Sequence, residues 1–346
     1  METSNEEIRK IQFTGKSTYI ISLPKKWVTS RGLKAGSQLV VSQQNGSLIL
    51  SPKEMAKSSL TPAEATIIIS NKENSDTVTR EIVSLYLVGY NFINVRTKDE
   101  RINALHRNAI KELTRKKLVG TEIISESPNE MKLQILISYP ELSMESALRR
   151  MCLIATSMHE DDIQALRDLN KELAKEVIQL DDEVDRFSLY IIRQLKAAVQ
   201  NEKILKDIGL SSARDCLGYR VIVKSVERIA DHAVKIAENI TLLKEKPSEK
   251  VFQKISEMGL FARKVFEDSI KSLFKKDYLL ADHAVYKAKT IVTLENEVIK
   301  EIRKKIEQVD VSNIRMIMES MRRTAEYASD IAEIVLNLNV NQILTK

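Results

Sequence analysis

The sequence predicts a multi-domain, mainly α protein with a small β head, a small α/β layer in the middle and a six-helix body. Three observations lead there. Up to about residue 57 apolar residues recur at every second position, and from Leu142 onward they recur in steps of three and four. Between these stretches, strand-like and helix-like segments alternate. A chain of 346 residues also exceeds what one core ordinarily organises. The predicted domains are 1–57, 62–140 and 141–346, the last divided into repeats of about 141–245 and 246–346.

Composition narrows the class. Hydrophobic content of 43% with 29% charged residues describes a soluble globular chain. The N-terminal METSNEEIRK is polar and acidic, unlike a secretory signal, and no apolar run is long enough to span a bilayer, so no membrane insertion is expected. Cys152 and Cys216 stand in unrelated segments, which suits reduced thiols and a cytoplasmic location.

In the head, the pairs Ile11/Phe13, Tyr19/Ile21, Leu39/Val41 and Leu48/Leu50 alternate with polar residues as four short strands. Asn45-Gly46 marks a hairpin turn, and Pro24 to Arg31 begins a short helix that Gly32 ends. Four such strands bury too little surface alone, so the head is expected to share its core with a second copy. From Ile8 to Lys57 nine basic residues face a single acid, Glu54, whereas the whole chain carries only +6. A basic head on a nearly neutral remainder points to a phosphate-rich partner, DNA, with Arg9, Lys10, Lys16, Lys25, Lys26, Arg31 and Lys34 as its candidate contacts. Arg9 and Arg31 carry the planar fork suited to base edges; the lysines suit phosphate. A dimerisation module with a merely basic surface is the alternative.

The Thr14-Gly15-Lys16-Ser17-Thr18 turn, the Ser22-Leu23-Pro24 strand end and the Gly32-Leu33-Lys34-Ala35-Gly36-Ser37 turn together resemble an AbrB/MazE/SpoVT-type swapped-hairpin domain. Ser37 departs from that family, which carries an acid there. The resemblance implies a homodimer of interleaved hairpins with a basic DNA-binding face.

A Pro-bounded linker from Ser51-Pro52 to Thr61-Pro62 leads into the layer. Its predicted order is a buried strand at Thr66 to Ser70, helix Asp76 to Gly89, strand Phe92 to Arg96 and helix Arg101 to Lys117. A hairpin of Val119 to Ser125 and Met131 to Ser138 completes it. The layer has no glycine-rich phosphate loop, and His106, on a polar helix, is expected to be exposed. A spacer, a dimer support and a ligand sensor all fit.

The body reads as helices 142–158, 160–201, 212–245, 248–276, 278–308 and 312–343, with Ser212, Ser248 and Ser312 as N-caps. The seam Ile222, Val226, Ile229, Ala233, Ile236, Ile240, Leu243 has no miss. A shift of 95 places its members from Val226 onward on Met321, Thr324, Ala328, Ile331, Val335 and Leu338. Upstream, Leu180, Glu183 and Val184 match Leu294, Glu297 and Val298 at a shift of 114. Two copies of a three-helix unit follow. Glu227 and Asp231, one turn apart beside the seam, allow two readings: a solvated flank balanced by Arg228 and Lys235, or a cation site. His232 is expected on the bundle surface.

The stretches DLNKELAKEVIQLDDEVDRFSLYIIRQL and VERIADHAVKIAENI are similar to the PhoU family of phosphate-signalling regulators, marked by E(D)xxxD on bundle helices. Carried over, that mark falls on Asp181, Asp185, Glu227 and Asp231, and the resemblance implies a divalent or iron-type metal ion there. The second repeat has Glu295, Ile299, Arg322 and Glu326 at the matching positions, so no full second site is expected. The resemblance implies a phosphate-responsive regulator, DNA-binding through its head. An adaptor docking on a phosphate transporter ATPase or signalling kinase is the alternative. An enzyme is not expected: a di-iron bundle needs Glu-x-x-His, and the residues three before the four histidines are Asn103, Thr156, Ile229 and Leu280.

Overall fold

The computed structural model describes residues 7–15, 17–44, 46–53, 63–136, 142–303 and 311–344. The chain divides into two compact units at Pro62. In the first, β1 (Gln12–Thr14) pairs antiparallel with β2 (Thr18–Ile20), and β3 (Leu39–Gln44) with β4 (Ser47–Pro52). Between the hairpins lies α1 (Lys25–Ser30), with Pro24 before its first turn. The hairpins form two separate sheets, and no described residue of this unit is buried.

The second unit holds the layer and the body on two hydrophobic cores. The layer runs β5 (Glu64–Ile69), α2 (Ser75–Val88), β6 (Phe92–Thr97), α3 (Ala104–Lys116), β7 (Thr121–Glu126) and β8 (Glu130–Ile135), with strand order β5-β6-β8-β7. Parallel β5 and β6 need the α2 crossover, while β7 and β8 close as a hairpin. Ile69, Ile93, Val95, Met131, Leu133 and Ile135 face Val78, Ile82, Tyr86, Ile110 and Leu113 of the helices in one core. The first strand is not the buried one expected. It lies at the sheet edge, where one side faces solvent, and its burial alternates. His106 is also not exposed. It lies inside the first turn of α3, where Asn103 accepts from its backbone N, and its ring Nε2 meets Glu73 O at 2.8 Å.

The body contains α4 (Met144–Asp168), α5 (Lys171–Gln200), a short α6 (Glu202–Asp207) and α7 (Asp215–Leu242), then α8 (Glu249–Lys275), α9 (Tyr278–Ala288), α10 (Ile291–Arg303) and α11 (Val311–Leu338). The first break falls at Leu169-Asn170, not at His159: Leu169 turns left-handed at φ 52° and the Asn170 side chain accepts from Leu173 N. The second copy repeats this corner, with Lys276 at φ 53° and Asp277 accepting from Leu280 N. The expected single helix 278–308 is divided into α9 and α10. Ser248 is an N-cap by position but makes no side-chain cap bond; Arg214 precedes α7 and Val311 begins α11, so neither Ser212 nor Ser312 is the cap.

The two expected seams face each other. α7 against α11 is the most extensive helix contact, with Ser225, Ile229, Ala233 and Ala237 buried in one and Ser320, Thr324, Ala328 and Ala332 in the other. His232, placed at the surface by sequence, is 8% exposed and stacks on Tyr327, its counterpart in the second copy, at 5.7 Å. Helical phase alone put it off the seam; the second seam covers that flank.

The paired corners generate a prediction. An L residue in the left-handed region costs about 1–2 kcal/mol, offset in part by the entropy of glycine. Lys276→Gly is expected to raise unfolding stability by roughly 0.5–1 kcal/mol, seen as a higher urea midpoint at unchanged slope. A lower midpoint would show that the corner carries no strain.

Candidate functional site

The four acids predicted as metal ligands lie on two neighbouring helices, Asp181 and Asp185 on α5 and Glu227 and Asp231 on α7. Their charges are felt mutually. Burial, then Asp185 and Asp231, push the Asp181 carboxyl up to about 7. Burial also raises Glu227 and Asp231 from their ordinary values, against the pull of Lys224. One oxygen of Asp181 is buried with no hydrogen-bond partner.

Lysines, however, already engage this cluster. Lys224, one turn before Glu227, forms an ion pair with it. Lys117, which follows the last turn of α3 in the layer, donates to Asp185 Oδ2 at 2.8 Å and lies 3.5 Å from Asp182 Oδ1. Burial alone would lower the Lys117 ammonium, yet its bond to Asp185 carries it above its ordinary value. Among the described residues no three His, Cys, Asp or Glu side chains group closely enough to hold one ion. As they stand, the four acids do not fit a hard-ion shell, which needs six or so converging oxygens.

The second copy is complete in itself. Arg322, where the first copy has Glu227, contacts Glu295 at 3.4 Å, Glu319 at 2.5 Å and Glu326. Arg323 pairs with Glu319 and Glu326 as well. Arg322 and Ile299 stand where the first copy has Glu227 and Asp185. Sequence did not single out Lys117, because only the packing of the layer on α5 brings it there.

The same packing uses Arg193, buried two turns beyond Asp185 on α5. Its guanidinium donates to Tyr86 O, to Gly89 O at 3.2 Å and to Asn91 Oδ1 at 3.0 Å, which satisfies carbonyls at the C-terminal end of α2. Two buried polar groups of α4 were also missed. Asp162 is 1% exposed with neither oxygen hydrogen-bonded, and burial drives its carboxyl well above the usual range. His159 meets Ile229 O at 3.0 Å, and burial lowers its ring to about 4. Their spacing with Ala155 and Leu166, in steps of four and three, was the available signal.

In the head, Lys25 and Lys26 open α1, Arg31 follows its end, and Lys10 and Lys34 are exposed; Arg9 pairs with Glu7. Lys16 lies outside the described residues. Ser37 Oγ accepts from Lys34 N at 2.9 Å and closes the turn. A cleft of about 580 Å³ is lined by Leu23, Pro24, Trp27, Leu48 and Leu50.

The model of the PhoU domain matches residues 148–240 and 255–335. The chain belongs to the PhoU family. Its members are regulatory accessory proteins and not enzymes. Residues 12–58 match the model of the antidote-toxin recognition MazE, bacterial antitoxin, family. A phosphate-specific transport system accessory protein PhoU homolog of Aquifex aeolicus is 32% identical over 40% of this chain, and the match spans 61% of that protein. PhoU homolog 1 of Thermotoga maritima is 23% identical over 58% of this chain and 87% of its own. The crystal structure of PhoU from Pseudomonas aeruginosa matches with a TM-score of 0.51 at 22% identity, covering 57% of this chain and 96% of that one, a likeness of fold. Among the described residues no helix is long and apolar enough to cross a membrane.

The raised Asp181 carboxyl gives a signed expectation. An acid whose folded pKa is raised binds protons more tightly when folded, so its contribution to stability falls as pH rises from about 4 to about 7. Asp181→Asn is therefore expected to melt higher than wild type at pH 8, with the gap closing towards pH 5. Melting curves that keep a constant gap, or none, would remove the strain from Asp181.

Proposed function

We propose that this protein is a regulator of phosphate uptake that addresses DNA through a dimeric head and receives its signal through the PhoU-type bundle. The reading of the body rests on family membership and on relatives named as accessory proteins of phosphate-specific transport. By analogy, a phosphate transporter or its signalling apparatus is the partner of the bundle.

One observation carries the reading of the head: its apolar side chains have no core to enter. Phe13 is 59% exposed, Tyr19 72% and Leu48 70%, although they alternate as inward-facing strand residues should. A second head, laid across the cleft beside Trp27 and Leu50, supplies the missing core. In such a pair the two lysines at the start of α1 are duplicated, which gathers cations for the phosphates of a duplex.

The test is duplex binding by the full chain across a salt series. Affinity is expected to fall steeply with salt, by roughly 0.9 in log-log slope for each phosphate neutralised. Lys25→Glu with Lys26→Glu is expected to remove most of the binding while the chain remains dimeric by sedimentation. Undiminished binding by that variant would overturn the assignment of α1, and absence of binding at low salt would leave the adaptor reading.

A further inference from the structure

We propose that the place where a bundle of this kind takes a metal ion is held here by side-chain cations, and that in the first copy the α/β layer delivers the decisive one, Lys117. Three independent observations support this.

The first is how α5 is used. Asp182, Asp185, Leu189 and Arg193 follow in steps of three, four and four, so they form one face of the helix. All four meet the layer: Lys116 and Lys117 reach Asp182, Lys117 reaches Asp185, Leu189 packs on the layer core, and Arg193 binds the end of α2. Asp185 therefore belongs at once to the acidic cluster and to the docking face. The layer is fastened to the bundle through a carboxylate that a metal ion would need.

The second is the comparison between copies. Lys224 and Glu227 of the first copy become Glu319 and Arg322 of the second, so the ion pair persists with its charges exchanged. That exchange removes an acid from the second cluster and puts a guanidinium in its midst, touching Glu295, Glu319 and Glu326. The second copy thus carries its central cation on its own helix. The first copy keeps all four acids and takes a cation from the layer.

The third is the absence, among the described residues, of any tight grouping of three ligating side chains. Asp185 turns to Lys117 and Glu227 to Lys224, so these two carboxylates are not converged on a common point. A divalent cation entering the first cluster must displace Lys117 from Asp185, and with it one of the polar fastenings of the layer. Ion and docked layer are alternative counter-charges for one set of acids, which gives the layer a role: its position reports what occupies the cluster.

The experiment is manganese titration of the full-length protein followed by calorimetry, with hydrogen–deuterium exchange of the segment 111–126 read in parallel. Lys117→Gln is expected to bind Mn²⁺ about tenfold more tightly than wild type, a usual size for coupling between two ligands, and to exchange faster in 111–126 without metal. Lys117→Arg should behave as wild type, and Asp185→Asn added to Lys117→Gln should abolish the gain. In wild type, Mn²⁺ at saturating concentration should speed exchange in 111–126, an observation that needs no variant to fold. Equal affinity in wild type and Lys117→Gln, or saturation of wild type with exchange unchanged, would overturn the proposal. None of these readings involves DNA, so the outcome is separable from the assignment of the head.

Discussion

The bundle is organised around the close approach of α7 and α11. Each helix brings alanines at its seam, Ala233 and Ala237 on one side, Ala328 and Ala332 on the other, and all are fully buried. At the far end Gly218 leaves room for Ile334 and Leu338, which a Cβ would meet at 3.0 and 3.3 Å. Small residues draw the two backbones together, so the outer helices wrap a narrow spine and the flanks of the seams face neighbours instead of water. Glu227 and Asp231 lie on such a flank. Their burial, and the rise of their carboxyls, follow from the spine and from α5 laid beside it.

Desolvated acids must be answered, and the two copies answer differently. The second has absorbed its cation into the helix as Arg322 and is closed off as a structural ion-pair network. The first relies on Lys224 and on a lysine borrowed from another core. The counter-charge of the second copy lies within the bundle, whereas part of that of the first comes from the layer.

Much of this was legible in the sequence because periodicity is a local property. The strands of the head, the order βαβαββ of the layer, the doubled seam and the loss of the second acidic set all follow from spacing and from residue-by-residue shifts. Element ends were less legible. The corner at Leu169 depends on a left-handed residue that is not glycine, which no turn signal announces. His106 and His232 were misplaced for one reason: a helix shows its own phase, but not which side a neighbouring chain segment will cover. The candidate site was half visible. Its acids stand at readable spacing, while Lys117 reaches Asp185 across 68 positions of sequence and enters only through packing.

The bare strands of the head have a further consequence. In the dimer proposed for the head, association supplies the core that its described residues lack, so the stability of the pair contains the logarithm of the protomer concentration. The bundle, with its own core, is free of that term. On that proposal one chain holds two parts with different responses to abundance: the body folds on its own core, and the head completes its core only as copies accumulate. Expression level then becomes an input to the protein in its own right, read by the first fifty-odd residues before any ligand is considered.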